Sequence, residues 1–113
     1  MCLLTPKSLE SCYEFLRTMP PFRRWKLPSG AAVKFKVTHH KDRYGHCDYG
    51  AGKHTISIST GKVGRIASLV ETMAHEIIHV HLDRSGVRAE HGADFKRLAA
   101  IVCRLHGFDE KQF

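Results

Sequence analysis

Two hydrophobic periods alternate along the chain. Between residues 5 and 19, Leu9, Cys12, Tyr13, Leu16 and Met19 recur at helical spacing. Thr5 reads as an N-cap and Pro6 as the first helical residue, where a missing N–H costs no hydrogen bond. Pro20-Pro21 ends this helix, and Phe22-Arg23-Arg24-Trp25-Lys26 follows as a basic, aromatic connector. After the breakers Pro28, Ser29 and Gly30 the period changes to two. Val33, Phe35 and Val37 alternate with Lys34, Lys36 and Thr38, which predicts a strand with one buried face. Residues 43–49 form a weaker strand candidate, residues 50–53 (Gly-Ala-Gly-Lys) a turn, and His54 to Ser59 a second alternating run with Ile56 and Ile58 on one face. These last two runs predict a hairpin. From Lys62 to about Asp83 the helical period returns, until Ser85-Gly86 stops it. A last helix is expected from about Gly92 to His106, with Phe95, Leu98, Ala99, Val102 and Leu105 inward and Gly107 just past its end. Helix, three strands, helix, helix is the order of an α+β domain. At 113 residues, without repeats or linkers, one domain over 1–113 is expected.

Composition narrows the class. Hydrophobic residues make up 42% and charged residues 26%, the balance of a globular chain. No apolar run approaches the length of a membrane span, so no membrane partner is expected. The opening MCLLTPKSLESC lacks a basic n-region and a small-residue cleavage site, which argues against a secretory signal. Cys2, Cys12, Cys47 and Cys103 contain no CxxC pair, so a zinc ribbon or finger is unsupported; reduced thiols in a cytoplasmic setting are the expectation. Eighteen Lys and Arg against eleven Asp and Glu leave a formal +7. Such an excess suits a polyanion, nucleic acid above all, and equally serves solubility alone.

Nine histidines are a large share for this length, and two of them fall in a motif. His75-Glu76-Ile77-Ile78-His79 matches H-E-x-x-H. With His75 at 0° on a helical wheel, Glu76 lies at about 100° and His79 at about 40°. Residues four apart have Cβ atoms about 6 Å apart, so the two imidazoles can close on one metal ion. Glu76 points aside, toward a water on that metal. Ile66, Leu69, Val70, Met73, Ala74, Ile77 and Val80 fall between about 120° and 260°, a stripe expected to be buried. Arg65, Ser68, Thr72 and Asp83 fall with the His/Glu arc, which predicts a helix with one side on the core and the other on a cleft. A catalytic zinc takes a third protein ligand and leaves a fourth position to water. Leu82 and Ser85 stand where the extended metzincin pattern would have its Gly and its third His. Downstream, Glu90, His91, Asp94 and His106 remain as third-ligand candidates.

His91-Gly92-Ala93-Asp94-Phe95 fits H-G-x-x-F. H-E-x-x-H on one helix, a short loop, then H-G-x-x-F opening the next helix resembles the SprT-like domain, the zinc peptidase module of bacterial SprT proteins and of the DNA–protein crosslink protease Spartan. The resemblance is firm over about residues 60–106 and looser before them. It implies a zincin-like α+β fold: an N-terminal helix, a three-stranded antiparallel sheet, the H-E-x-x-H helix and a following helix carrying the third ligand. It implies one zinc ion on His75, His79 and His91, with Glu76 as general base and Glu90 as reserve ligand. It further implies cleavage of proteins or peptides, with single- or double-stranded DNA as a partner and a nuclear or nucleoid location where DNA is bound. Many members carry a C-terminal zinc ribbon with paired cysteines; a compact form without it is expected here.

Other residues receive weaker assignments. Tyr44, Tyr49 and His81 are candidates for steadying an oxyanion, although His81 falls at about 240°, toward the apolar side. His54 to Ser59 is either the strand that pairs with an extended substrate or an ordinary inner strand. His39, His40, His46 and His54 read as solvated turn residues rather than a second metal site, because no ligand spacing recurs. Cys47 as a thiolate on the zinc has nothing to support it. Residues 22–26 either stack on a nucleic-acid strand or dock their aromatics on the core. Two further functions fit the same residues: a nucleic-acid-binding module with a structural zinc, and a peptidase with one dedicated substrate and no link to DNA. A monomer is the expected state.

Overall fold

The computed structural model describes residues 4–50, 53–63, 65–87, 91–111 and 113. The first helix, α1, runs Pro6–Arg17. The Thr5 hydroxyl accepts from the Ser8 N–H at 3.0 Å while Ser8 Oγ accepts from the Thr5 N–H at 2.9 Å, so two otherwise orphaned donors are satisfied reciprocally. Leu9, Tyr13 and Leu16 form its buried stripe, and the Tyr13 hydroxyl donates to the Pro28 carbonyl at 2.6 Å. The connector becomes a turn of 3-10 helix, Phe22–Trp25. Its aromatics dock inward: Phe22 is fully buried and Trp25 stacks on His81 at 4.3 Å between centroids, leaving Arg23, Arg24 and Lys26 exposed.

The strands are β1 (Val33–Thr38), β2 (Gly45–Gly50) and β3 (Lys53–Ser59). Their order in the sheet is β1-β3-β2. The hairpin is present, with β2 antiparallel to β3, but β1 lies parallel to β3. The sheet is therefore mixed, not antiparallel throughout. Alternation in sequence fixes which face a residue takes and says nothing of a strand's direction or neighbour. The chain leaves β1, crosses the end of β3 and enters β2; Ser59 N–H donates to the Tyr44 carbonyl at 2.8 Å and the Ser59 hydroxyl to that of His40. Residues 51 and 52 of the expected turn lie outside the described residues.

α2 (Ile66–Arg84) and α3 (Ala93–His106) complete the fold. α2 contacts α1, α3, β2 and β3 and is buried around most of its girth: Thr72, Glu76, Ile78, His79 and Leu82 are buried along with Leu69, Met73, Ala74, Ile77 and Val80 of the apolar stripe. The expected open cleft side is thus a narrow one. Two residues placed inward by the wheel are instead exposed, Ile66 at 75% and Leu105 at 53%. A wheel gives an angle about the axis; at the first residue of α2 and the last turn of α3, no neighbour covers that angle. Gly107 ends α3 at φ 75°, its N–H donating to the Cys103 carbonyl at 2.8 Å, a left-handed conformation that glycine adopts without cost. Among the described residues no helix is long and apolar enough to cross a membrane.

Candidate metal centre

α2 presents His75 and His79 one turn apart, and the loop entering α3 brings His91 to them. The three Nε2 atoms form a nearly equilateral triangle: 3.3 Å between His75 and His79, and 3.2 Å from each to His91. Nitrogens bound to one tetrahedral zinc at about 2.0–2.1 Å stand about 3.3–3.4 Å apart, so these side chains fit that ion. Among the described residues this is the one cluster of His, Cys, Asp or Glu able to hold a metal. His75 Nδ1–H donates to the Phe113 carbonyl at 3.1 Å, which leaves Nε2 bare as a ligand. Burial, followed by the neighbouring imidazoles, lowers the pKa of both His75 and His79 to about 4. Both rings are therefore neutral at pH 7, the form a metal binds.

Phe95 underlies the cluster. Its ring centroid lies 4.8 Å from those of His75 and His79 and 4.9 Å from that of His91, and it is 5% exposed. The phenylalanine of H-G-x-x-F is thus a platform that fixes three imidazoles at once. Its helical spacing pointed to the core, but not to this role.

Glu76 is 4% exposed and sits where β2 passes over α2. A Cβ at Gly45 would lie 3.1 Å from Glu76 Oε2, 2.9 Å from Thr72 Cγ2 and 2.9 Å from the Ser57 carbonyl oxygen. Only a glycine lets the strand come this close to the carboxylate. A glycine inside a strand is the sequence signal of such an approach. A cleft of about 330 Å³, lined by Tyr44, Lys62, Glu71, Thr72, Glu76 and Phe113 among others, opens on one side of the cluster. A smaller one of about 80 Å³ lies between β2 and the three histidines.

The remaining candidates separate clearly. Asp94 is exposed and faces Arg97 at 3.5 Å, and His106 contacts the Pro20 carbonyl at 2.5 Å and stacks on Phe22; neither joins the cluster. Glu90 lies outside the described residues. Tyr44 lines the larger cleft and Tyr49 the smaller, with the Tyr49 hydroxyl 3.5 Å from the His79 carbonyl oxygen; His81 is held on Trp25. β3 is the central strand with both edges bonded, so it cannot accept a further strand; β2 is the strand that borders the cluster. Of the four histidines expected in solvent, His39, His40 and His46 are exposed, but His54 is 8% exposed and bonds Asp83 Oδ2 at 2.8 Å, tying β3 to the end of α2. Its partner is 29 residues away in sequence, beyond any local pattern. Cys12, Cys47 and Cys103 are free thiols. Burial pushes the thiol of Cys47 far up and those of Cys12 and Cys103 to about 11, so none is a ready thiolate at pH 7.

Comparison with known proteins adds one finding: the model of the SprT-like family matches residues 13–111, and the chain belongs to that family. No curated protein and no solved structure gives a significant match.

Proposed function

We propose, from membership of the SprT-like family and from the convergence of three imidazoles beside a buried carboxylate, that this protein is a zinc-dependent endopeptidase of zincin type. The observation that carries the reading is the Nε2 triangle with 3.2–3.3 Å edges and Glu76 next to it. Three imidazole nitrogen donors with a fourth position open suit zinc. Zinc, when bound, supplies Lewis acidity that polarises a peptide carbonyl and makes water more acidic.

The chain's own residues do the rest. His75, His79 and His91 hold the ion, and Phe95 and the Phe113 carbonyl hold the imidazoles. Glu76 takes a proton from the attacking water and returns it to the leaving amide nitrogen. Its burial keeps bulk water from competing for that proton. Tyr49 and Tyr44, on the two clefts, are the hydroxyls within reach of a developing oxyanion. An extended substrate lies along β2, whose backbone borders the histidines, in place of the β3 edge that the sheet occupies.

The substrates proposed are DNA-associated or DNA-crosslinked proteins. The formal +7 and the Spartan-like motif order support this. Zinc-loaded protein mixed with a histone, with and without single-stranded DNA, tests both levels on a gel. Cleavage lost in Glu76→Gln, with zinc content unchanged, is the expected result. Equal cleavage by that variant overturns the mechanism. Cleavage indifferent to DNA leaves the peptidase and removes the DNA role. A fourth protein ligand on the metal would favour a structural zinc instead.

A further inference from the structure

A further cavity lies on the side of the metal centre away from Glu76. It measures about 420 Å³ and sits between α3 and the segment that follows that helix. Its floor is one face of α3. Phe95 and Ala99, and beside them Lys96 and Ala100, are two pairs one turn apart, so their side chains form a trough along the helix. Leu98 and Val102 turn the other way, into the core. Larger apolar residues at positions 99 and 100 would fill the trough, and alanine leaves it open.

Phe113 closes the trough. Past Gly107 the chain turns back: Phe108 N–H donates to the Cys103 carbonyl at 3.0 Å, Phe113 N–H donates to the Asp109 carbonyl at 3.1 Å, and the two phenyl rings stack at 5.9 Å. The return brings the Phe113 ring to the first turn of α3, 6.5 Å from that of Phe95, and to α2, 5.4 Å from the His75 imidazole. Phe113 then lines both this cavity and the cleft of Glu76, and His91 lines both this cavity and the small one between β2 and the histidines. One phenyl ring and one imidazole are thus shared walls between the candidate metal centre and an apolar hollow.

We propose that this hollow is the subsite for one large apolar side chain of the substrate, of leucine or phenylalanine size, on a residue next to the cleaved bond, with Ala99, Ala100 and Phe113 as the specificity-determining residues. It rests on the peptidase reading and concerns which sequence is cut, not how. The volume falls within the range of ligand pockets, roughly 300–1,000 Å³. Phe95, Ala99, Ala100 and Phe113 offer water no side-chain hydrogen bonds, so an apolar group displaces it at little cost. Lys96 and Glu110, both exposed, bring opposite charges to the same cavity and give a charged side chain no net attraction. In an extended peptide successive side chains point to opposite sides. A residue at the three histidines therefore turns one side chain toward β2 and its neighbour's toward α3.

The test uses short labelled Gly-Ser peptides with one central Phe, Leu, Ala or Lys. Binding is read by fluorescence anisotropy with zinc-loaded Glu76→Gln protein, so that cleavage does not intervene. The Phe and Leu peptides should bind about 10- to 100-fold more tightly than the Ala peptide, the gain expected for burying one such side chain. Ala99→Leu/Ala100→Leu, which fills the trough with a good helix former, should bring that ratio below about threefold. Phe113→Ala removes a wall but keeps the backbone carbonyl that His75 uses; it should lower the ratio with zinc content unchanged. Ser11→Leu, which puts a leucine on the exposed face of α1, should leave the ratio at its starting value. With the parent protein, kcat/KM should follow the same order and the apolar residue should map next to the cut. A filled variant that keeps the full preference, no preference at all, or a preference for Lys overturns the subsite. An apolar residue that maps away from the cut overturns its place beside the bond. Histone cleavage with no side-chain preference removes the subsite and leaves the peptidase, whereas preference in binding with no cleavage of any substrate removes the peptidase reading.

Discussion

Gly45→Ala is the substitution most informative about how the carboxylate is held. The added methyl would sit 2.9 Å from the Ser57 carbonyl oxygen, which belongs to the central strand and cannot turn away. It would also sit 2.9 Å from Thr72 Cγ2 and 3.1 Å from Glu76 Oε2. Thr72 and Glu76 are both on α2, pinned from the other side by the core. Two relaxations remain: β2 lifts off α2, or the Glu76 carboxylate swings aside. Either moves the Glu76 carboxylate, the general base of the proposed mechanism, by a few tenths of an ångström to about 1 Å, and on that mechanism a misplacement near 1 Å costs about 100-fold in rate. Overpacking at such a site destabilises by about 1–3 kcal/mol, which for a chain of this size lowers Tm by roughly 4–12 °C. The three imidazoles are not touched, so zinc stoichiometry should stay at the parent value. The measurements are kcat on a histone or peptide substrate, zinc content, and calorimetric Tm on one preparation. A variant with kcat within twofold of the parent refutes the account, because it would mean that the close approach does not position Glu76. Loss of zinc together with activity would refute it differently, by placing the damage in the metal site.

Removing the platform under the imidazoles, Phe95→Ala, should cost about 3–5 kcal/mol of stability and about 10- to 100-fold in zinc affinity by competition with a chelator, with Phe95→Leu nearer the parent. For the metal-free protein, His75 and His79 have folded pKa values lowered to about 4 from the ordinary 6.5. Between those values the unfolded chain binds more protons than the folded one, so stability rises with pH across about 4 to 6.5 and levels off above it; denaturant midpoints that fall with rising pH in that window would contradict this. His54→Asn should leave Asp83 without its partner and loosen the joint between β3 and the end of α2, seen as a lower Tm with zinc affinity retained; an equal Tm would show that the pair contributes nothing.

What the sequence disclosed depended on how local each cause was. His75, Glu76 and His79 could be placed because helical periodicity alone fixes their mutual angle, and nothing distant is needed to confirm it. His91 came from a second motif across a loop, where spacing admits several ligands and only the folded chain brings one of them within 3.2 Å. The faces of the strands were equally readable, since alternation is a local property. Their directions were not: whether β1 joins β3 or β2 is decided by how residues 39–44 cross the end of β3, and the loop's hydrogen bonds to Ser59 and Thr60 are invisible in a hydrophobic pattern. The same distance effect hid the burial of His54, whose partner is on another element. It also hid the role of Gly45, whose lack of a side chain has meaning only once Glu76 is beneath it. The errors at Ile66 and Leu105 have the opposite origin, a local rule applied where no neighbour exists to complete it. The geometry of the candidate site was therefore legible where one helix carries it. It was not legible where a strand, a loop and a second helix must close around that helix, and that closure decides whether the Glu76 carboxylate is solvated or buried.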